Sequence, residues 1–205
     1  MTMNTVYIAG PKDTSVENMF IEEGWGISET LDGTNVDLVC FTGGHDVHPS
    51  LYGEKVNGAR GFSMERDLQE VYEYTKALRL CIPMVGICRG GQFLNVMNGG
   101  KLIQDLKCFM GGYQVVEPTP GCIDTYPNLK VQVHVDHHQG ILKDESGITL
   151  CKYSSVKDDE EINSIDVITY YEYSDSLCFQ PHPEWGHKPT KKLFFDLIDD
   201  YFNLK

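Results

Sequence analysis

Apolar residues follow two rhythms along this chain: short solid runs, as in buried strands, and stretches spaced by three and four, as in helices with one buried face. The runs at 6–9, 36–42 and 84–87 read as strands, the second ending in Gly43-Gly44 and the third central. A short helix is expected over 16–23, followed by a weaker strand near 26–29. Residues 65–79 place Leu68, Val71, Tyr72, Thr75 and Leu78 on one helical face. Another helix follows Cys88 and stops at Asn98-Gly99-Gly100. From 101 to 175 the pattern is strand-like and turn-rich, with no further clear helix. The last element, over 190–202, carries Leu193, Phe194, Leu197, Ile198 and Tyr201 on one face and is expected to pack on the sheet. Strands alternating with helices predict an α/β fold built on an open sheet. Neither an internal repeat nor a linker interrupts it, so residues 1–205 are expected to form one domain.

The sharpest chemical signal is Gly86-Ile87-Cys88-Arg89-Gly90-Gly91-Gln92, directly after the apolar run Cys81-Ile82-Pro83-Met84-Val85. A strand driven into a tight turn that opens a helix makes Cys88 the tip of a nucleophile elbow. Glycines flank it because the backbone there is strained and its neighbours crowd any side chain. At a helix N-terminus, unpaired amides and the helix dipole favour thiolate, the nucleophilic form. The thiolate needs a base, and Gln180-Pro181-His182-Pro183-Glu184-Trp185 offers one. The two prolines stiffen this stretch. Side chains two apart in an extended segment share a face, so Glu184 can accept a hydrogen bond from His182 and orient it. Cys88, His182 and Glu184 are therefore a candidate catalytic triad. An inert buried thiol would not require the flanking glycines, and a histidine bracketed by prolines is a poor core choice. Cys40, Cys81, Cys151 and Cys178 lie in apolar stretches and are expected in the core, whereas no pattern places Cys108 or Cys122.

The elbow and the late His-Pro-Glu together resemble the class I glutamine amidotransferases, which pair G-x-C-x-G-x-Q with H-P-E. Within that superfamily, Gly43-Gly44-His45-Asp46-Val47-His48-Pro49-Ser50-Leu51-Tyr52-Gly53-Glu54 looks like the G-G-x-D-x-x-P-x-x-Y-G-E loop of the γ-glutamyl-γ-aminobutyrate hydrolase (peptidase C26-like) branch. Glu65-Arg66-Asp67 and His137-His138-Gln139 resemble it too, and the likeness runs from about residue 36 to 185. It implies a flavodoxin-like, mostly parallel sheet and a reaction without a cofactor. It also implies an oxyanion hole made by the backbone N–H groups of Gly44 and Arg89, and substrate contacts from Gly43, Gln92, Tyr52, His137, His138 and Gln139. Read alone, Gly43-Gly44 would merely make a turn and 137–139 a surface turn. For Arg66 and Asp67 the likeness implies only a supporting role. Where the branch carries Asn-Ser ahead of His-His-Gln, this chain has His134-Val135, and Pro181 replaces the aromatic residue common before H-P-E.

The implied chemistry is cysteine-dependent hydrolysis of a γ-glutamyl amide through a thioester. Its expected form is a glutaminase releasing glutamate and ammonia, with a separate ammonia-accepting synthase as partner. The alternatives are a stand-alone hydrolase of a larger γ-glutamyl amine, such as γ-glutamyl-γ-aminobutyrate, and a catalytically silent binding protein. Charge narrows the partners: thirty acidic against seventeen basic residues give a net charge of −13, which repels nucleic acid. No apolar run approaches the roughly 18 residues that span a bilayer, and no signal-peptide pattern opens the chain, so the expected setting is cytoplasmic. Seven cysteines without paired spacing argue against a disulfide framework. His45, Asp46 and His48 mimic a metal cluster but lack further ligands, and no metal is expected. His187 has no evident partner and should face solvent, and the acidic run Asp158-Asp159-Glu160-Glu161 reads as a solvated loop.

Overall fold

The computed structural model describes residues 3–119, 130–154 and 160–204. Cys122 and the Asp158-Asp159 half of the acidic run lie outside the described residues. Along the chain, β1 (Thr5–Ala9) leads through α1 (Thr14–Glu22) to β2 (Gly26–Ser28), β3 (Leu38–Phe41), α2 (Met64–Leu80), β4 (Met84–Ile87) and α3 (Arg89–Met97). Then come β5 (Lys101–Ile103), β6 (Met110–Pro118), β7 (Val131–His137), β8 (Gly140–Leu142), β9 (Ile148–Tyr153), α4 (Glu160–Ser164), β10 (Ile168–Tyr171), β11 (Ser176–Phe179) and α5 (Lys188–Phe202). Nine strands share one sheet in the order β2-β1-β3-β4-β11-β10-β9-β6-β7. The first five are parallel to one another, and the last four continue as an antiparallel wing. Strands β5 and β8 form a separate antiparallel pair.

The central parallel strands β3, β4 and β11 are buried at every position, so they read as nearly solid apolar runs and not as alternating ones. In β3, Leu38 and Cys40 join the core on one side, and Val39 and Phe41 join the core on the other. Helices α1 and α5 cover the first side, where Phe194 meets Phe20, Phe195 and Phe179 edge to face at 5.1–6.0 Å. The expected stripe on α5 is confirmed: Leu193, Phe194, Leu197 and Ile198 are buried. Helices α2 and α3 cover the second side, bringing Phe93 against Phe41 and Tyr74.

Helix α2 corrects the sequence reading. Its extent is close to the expected one and Ser63 caps it, but Leu68 and Tyr72 are both 61% exposed, and the buried face is Asp67, Glu70, Glu73, Tyr74 and Ala77. The reason is electrostatic: Asp67 and Glu70 turn inward to pair with Arg89, itself buried. Cys81 is another correction. It ends α2 in the left-handed region at φ +53°, its N–H returning to Ala77 and Leu78 carbonyls, and it is exposed. The short α4 also interrupts the stretch read as helix-free, because five residues are too few to display a helical period. Among the described residues no helix is long and apolar enough to cross a membrane.

Two features of this frame position the site. The C-terminal ends of β3, β4 and β11 emerge along one edge, which is where open α/β sheets place their chemistry. The antiparallel wing curls back over that edge, so that β7 meets it: the His182 N–H donates to His134 O at 2.8 Å, and the His134 N–H to Thr190 Oγ1 at 3.0 Å. At the turn after β4 no methyl group fits. A Cβ on Gly86 would overlap the Gly90 backbone, one on Gly90 would overlap the Phe41 carbonyl, and one on Gly91 would lie 2.9 Å from Phe179 N.

Gly90→Ala should accordingly destabilise the protein by about 3 kcal/mol or more, because backbone and not a yielding side chain stands in the way. Gly53→Ala, at φ +72° with nothing within 4 Å of the added carbon, should lose only about 1 kcal/mol to backbone strain. Urea unfolding of both variants checks this, and equal stability would mean the elbow is not close-packed.

Candidate active site

Cys88 has φ +49° and ψ −108°, a conformation that a residue with a side chain adopts only when its surroundings impose it. Those surroundings are the three glycine contacts above and the Cys88 N–H, which donates to Phe179 O at 2.8 Å. The α3 hydrogen-bond ladder starts with Gln92 N–H on Cys88 O at 3.0 Å. The amides of Arg89, Gly90 and Gly91 therefore have no carbonyl to reach within the helix, and no side chain caps them. Around the sulfur stand the Asp136 carbonyl at 3.8 Å and Gln180 Nε2, which donates at 3.6 Å.

His182 precedes a single 3-10 turn over Pro183–Trp185 after β11, with Nδ1 on Glu184 Oε1 at 2.6 Å; the expected pairing is present, but the turn and not an extended stretch brings the two side chains together. A carboxylate only accepts, so Nδ1 carries the proton and Nε2 is the free functional nitrogen. Trp185 stacks on the imidazole, ring centroids 3.8 Å apart and nearly parallel. Burial pushes the His182 imidazole down. The Cys88 sulfur and the Glu184 carboxylate outweigh that push and raise it to about 10. Gly43 backs both groups: a Cβ there would lie 3.5 Å from His182 Cε1 and 3.8 Å from Cys88 Cβ. The structure thus brings Cys88, His182, Glu184 and Gly43 into one cluster.

Gly44 adjoins it at φ +134°, with Arg66 packed so closely that a Cβ would overlap the guanidinium. Gln92 donates to Gln180 Oε1 at 3.3 Å and reaches the sulfur through that residue. Gln180 is a neighbour of Cys88 that the motifs do not reveal, because its contact is made across the fold.

The remaining expected contacts are placed differently. His137 is committed inward: Nδ1 donates to Gln139 O at 2.7 Å and Nε2 meets Tyr153 Oη at 2.6 Å. Burial pushes it down to about 4 and keeps it neutral. His138 is held between Asp105 at 3.0 Å and Asp46 at 3.1 Å, clamping the 43–54 loop to the chain after β5. Gln139 is buried and donates to Gln104 O at 3.3 Å. Tyr52 is buried in the apolar cluster with Phe41 and Val47, its hydroxyl enclosed. These four build the walls behind the site: His137, His138 and Gln139 each bond a structural partner, and Tyr52 lies in an apolar shell. In the loop that mimics a metal cluster, Asp46 accepts from Arg60 N–H at 2.6 Å and His48 Nδ1 meets Ser50 Oγ at 2.7 Å. His187, expected to be unpartnered, binds Thr190 Oγ1 at 2.7 Å at the start of α5 and packs on Tyr113.

Cys88→Ala should lower the titration point of His182, since burial then acts against Glu184 alone; imidazole NMR across the pH range reads this, and an unmoved titration would place the sulfur too far away to matter. His137 supplies a second test. Its folded pKa lies below the ordinary 6.5, so stability is complete above that value and falls as pH drops toward 4, by on the order of 3 kcal/mol. Urea unfolding at pH 7 and pH 4.5 should show that loss, and His137→Gln should remove that part of the pH dependence.

The model of the family described as Peptidase C26 matches residues 27–184, which span the elbow, the 43–54 loop and His-Pro-Glu. The glutamine amidotransferase-like protein YvdE of Lactococcus lactis is 35% identical over 182 residues, 80% of this chain and 74% of that one. Among solved structures, PurLQS from Thermotoga maritima aligns with a TM-score of 0.71 at 18% identity, covering 98% of this chain and 99% of that chain. A glutamine amidotransferase from the same organism aligns at 0.64, also at 18% identity, covering 99% and 85%. The structural likenesses carry the fold, and the matched motifs carry the assignment: the chain belongs to the Peptidase C26 family of the class I glutamine amidotransferase superfamily.

Proposed function

We propose that the protein hydrolyses a γ-glutamyl amide, foremost glutamine, through a γ-glutamyl thioester on Cys88. The observation that carries the reading is the Cys88–His182–Glu184 cluster at a strained helix start with free amides. The Cys88 thiolate attacks the γ-amide carbon, and the carbonyl oxygen takes up the negative charge. The N–H groups of Gly44 and Arg89 receive that oxyanion, each donor being worth about 3 kcal/mol of barrier. His182 Nε2–H protonates the departing nitrogen as the carbon–nitrogen bond breaks, leaving the thioester. Water then gives a proton to Nε2 and attacks the thioester, and glutamate leaves as the thiolate returns. Gln92 and Gly43 shape the wall around the reacting carbonyl. The six described cysteines are free, which suits a thiolate enzyme in a reducing, cytoplasmic setting.

Release of ammonia to a separate synthase is favoured over cleavage of a larger amine by what surrounds His182. Trp185 stacks on it at 44% exposure, and Tyr113, 58% exposed, stacks on the neighbouring His134. Exposed aromatic rings beside a reaction centre fit a face that a protein partner covers. The second reading is a stand-alone hydrolase of a larger γ-glutamyl amine.

Glutamate release from glutamine and from a panel of γ-glutamyl amines decides between them. Cys88→Ala should lose activity about 10³-fold or more, and Glu184→Gln should lose one to two orders of magnitude less, because it orients and makes no bond. Turnover confined to glutamine supports the amidotransferase subunit, and fast turnover of one larger amide supports the hydrolase. Undiminished activity in Cys88→Ala would sink both.

A further inference from the structure

The two amides assigned to the oxyanion come from separate loops, one after β3 and one after β4. Buried charge on α2 joins them. Glu70, fully buried, receives Arg66 Nε on Oε1 at 2.8 Å and Arg89 Nη1 on Oε2. Arg66 carries the connection to the first loop, where Nη2 donates to Thr42 O and to Gly43 O, both at 3.0 Å. Arg89 carries it to the second, being the residue that supplies the other amide. Asp67 adds to this, pairing with Arg89 through Oδ1 and accepting the His48 N–H on Oδ2 at 3.0 Å.

The bond to Gly43 O matters through peptide geometry. The Gly43 carbonyl and the Gly44 N–H belong to one planar trans unit and point in opposite directions. A donor that holds the carbonyl toward α2 therefore aims the N–H away from α2. Without that donor, a Gly-Gly peptide with φ +134° at its second residue is free to rotate, since neither glycine has a side chain to oppose it.

We propose that Glu70 is a positioning residue for the oxyanion hole, fixing the Gly44 and Arg89 amides relative to each other through the two guanidinium groups. The proposal rests on the reaction given above. Glu70 touches no reacting atom. Its contribution is preorganisation, which decides whether each donor supplies its expected 10²–10³-fold or so in rate.

The test compares Glu70→Gln, Arg66→Lys and, as a control one turn along α2, Glu73→Gln, whose carboxylate lies near enough to act on the Arg66 charge but bonds Tyr7 and Gln69 and not the guanidinium groups. Two probes are read: steady-state hydrolysis of glutamine and γ-glutamyl-p-nitroanilide, and alkylation of Cys88 by iodoacetamide. Alkylation forms a sulfur–carbon bond as iodide leaves and develops no oxyanion, so it reports the nucleophile and base alone. In Glu70→Gln, kcat should fall about 30- to 300-fold, with KM and the alkylation rate within about threefold of wild type. Arg66→Lys keeps the charge beside Glu70 but loses the fork to Thr42 and Gly43, and its kcat should fall about tenfold with alkylation again unchanged. It decides the matter should Glu70→Gln fail to fold. An unchanged kcat in the folded variants, a parallel loss of alkylation, or an equal loss in Glu73→Gln would overturn the proposal. Failure of the underlying reaction shows elsewhere: wild-type protein that is alkylated yet hydrolyses neither amide removes both readings together.

Discussion

The turn at Cys88 has no room for a single methyl group, and the rest of the site is arranged around that constraint. Three strand ends and the first turn of α3 converge on Gly86, Gly90 and Gly91 closely enough that backbone meets backbone. This contact holds Cys88 in an unfavourable conformation without any strong local preference of its own, since the surroundings over-determine the angles. What the strain achieves is placement: the sulfur projects from the sheet edge while three helix amides remain unclaimed beneath it. A looser turn would let the chain relax into ordinary helix and draw the sulfur back.

Packing alone does not fix the second loop, which arrives from β3, and here buried charge takes over. Arg89, Asp67 and Glu70 are almost wholly withdrawn from water, and Arg66 is mostly so. Withdrawing such groups is costly, and an apolar cluster of equal volume would generally be as stable or more so. The benefit is directional. Guanidinium forks bond along defined vectors and carboxylates accept along defined vectors, so the cluster fixes orientation as well as distance. Leu or Phe at these positions would fill the same space without specifying which way the Gly43 peptide faces.

That difference explains what was legible in the chain. Strands β1, β3 and β4 and helix α5 could be read because each buries apolar residues with a regular period, and burial of that kind is a local property. The elbow and the His182–Glu184 pair could be read because their signature residues lie within a few positions of one another, even though the elbow's strained geometry is imposed from β3 and β11. The face of α2 could not. Its apolar positions Leu68 and Tyr72 are exposed and its carboxylates are buried, an inversion that makes sense only when Arg89, 22 residues after Asp67 and 19 after Glu70, is known to sit beneath. His137 failed for a similar reason: its partners are Gln139 O and Tyr153, and the second is supplied by β9, across the wing. Gln180 reaches Cys88 from 92 residues away, a distance at which spacing carries no signal.

The site therefore has two halves of different origin. Its floor belongs to the parallel strands and to α2, where every position is pinned by close contact or buried charge. Its roof is the returning wing, where the Asp136 carbonyl reaches the sulfur and His134 O receives the His182 N–H through backbone atoms. Backbone contacts are indifferent to side-chain identity. The outward side chains of β6 and β7 can therefore change while the Cys88–His182–Glu184 cluster below keeps its geometry, and the Tyr113–His134 stack beside Trp185 occupies that freedom here. His134 stands where the related branch carries a small polar residue, and its ring continues an aromatic surface that starts at His182. In this scaffold the floor holds the geometry around Cys88, and the side chains of the roof shape the exposed surface beside it.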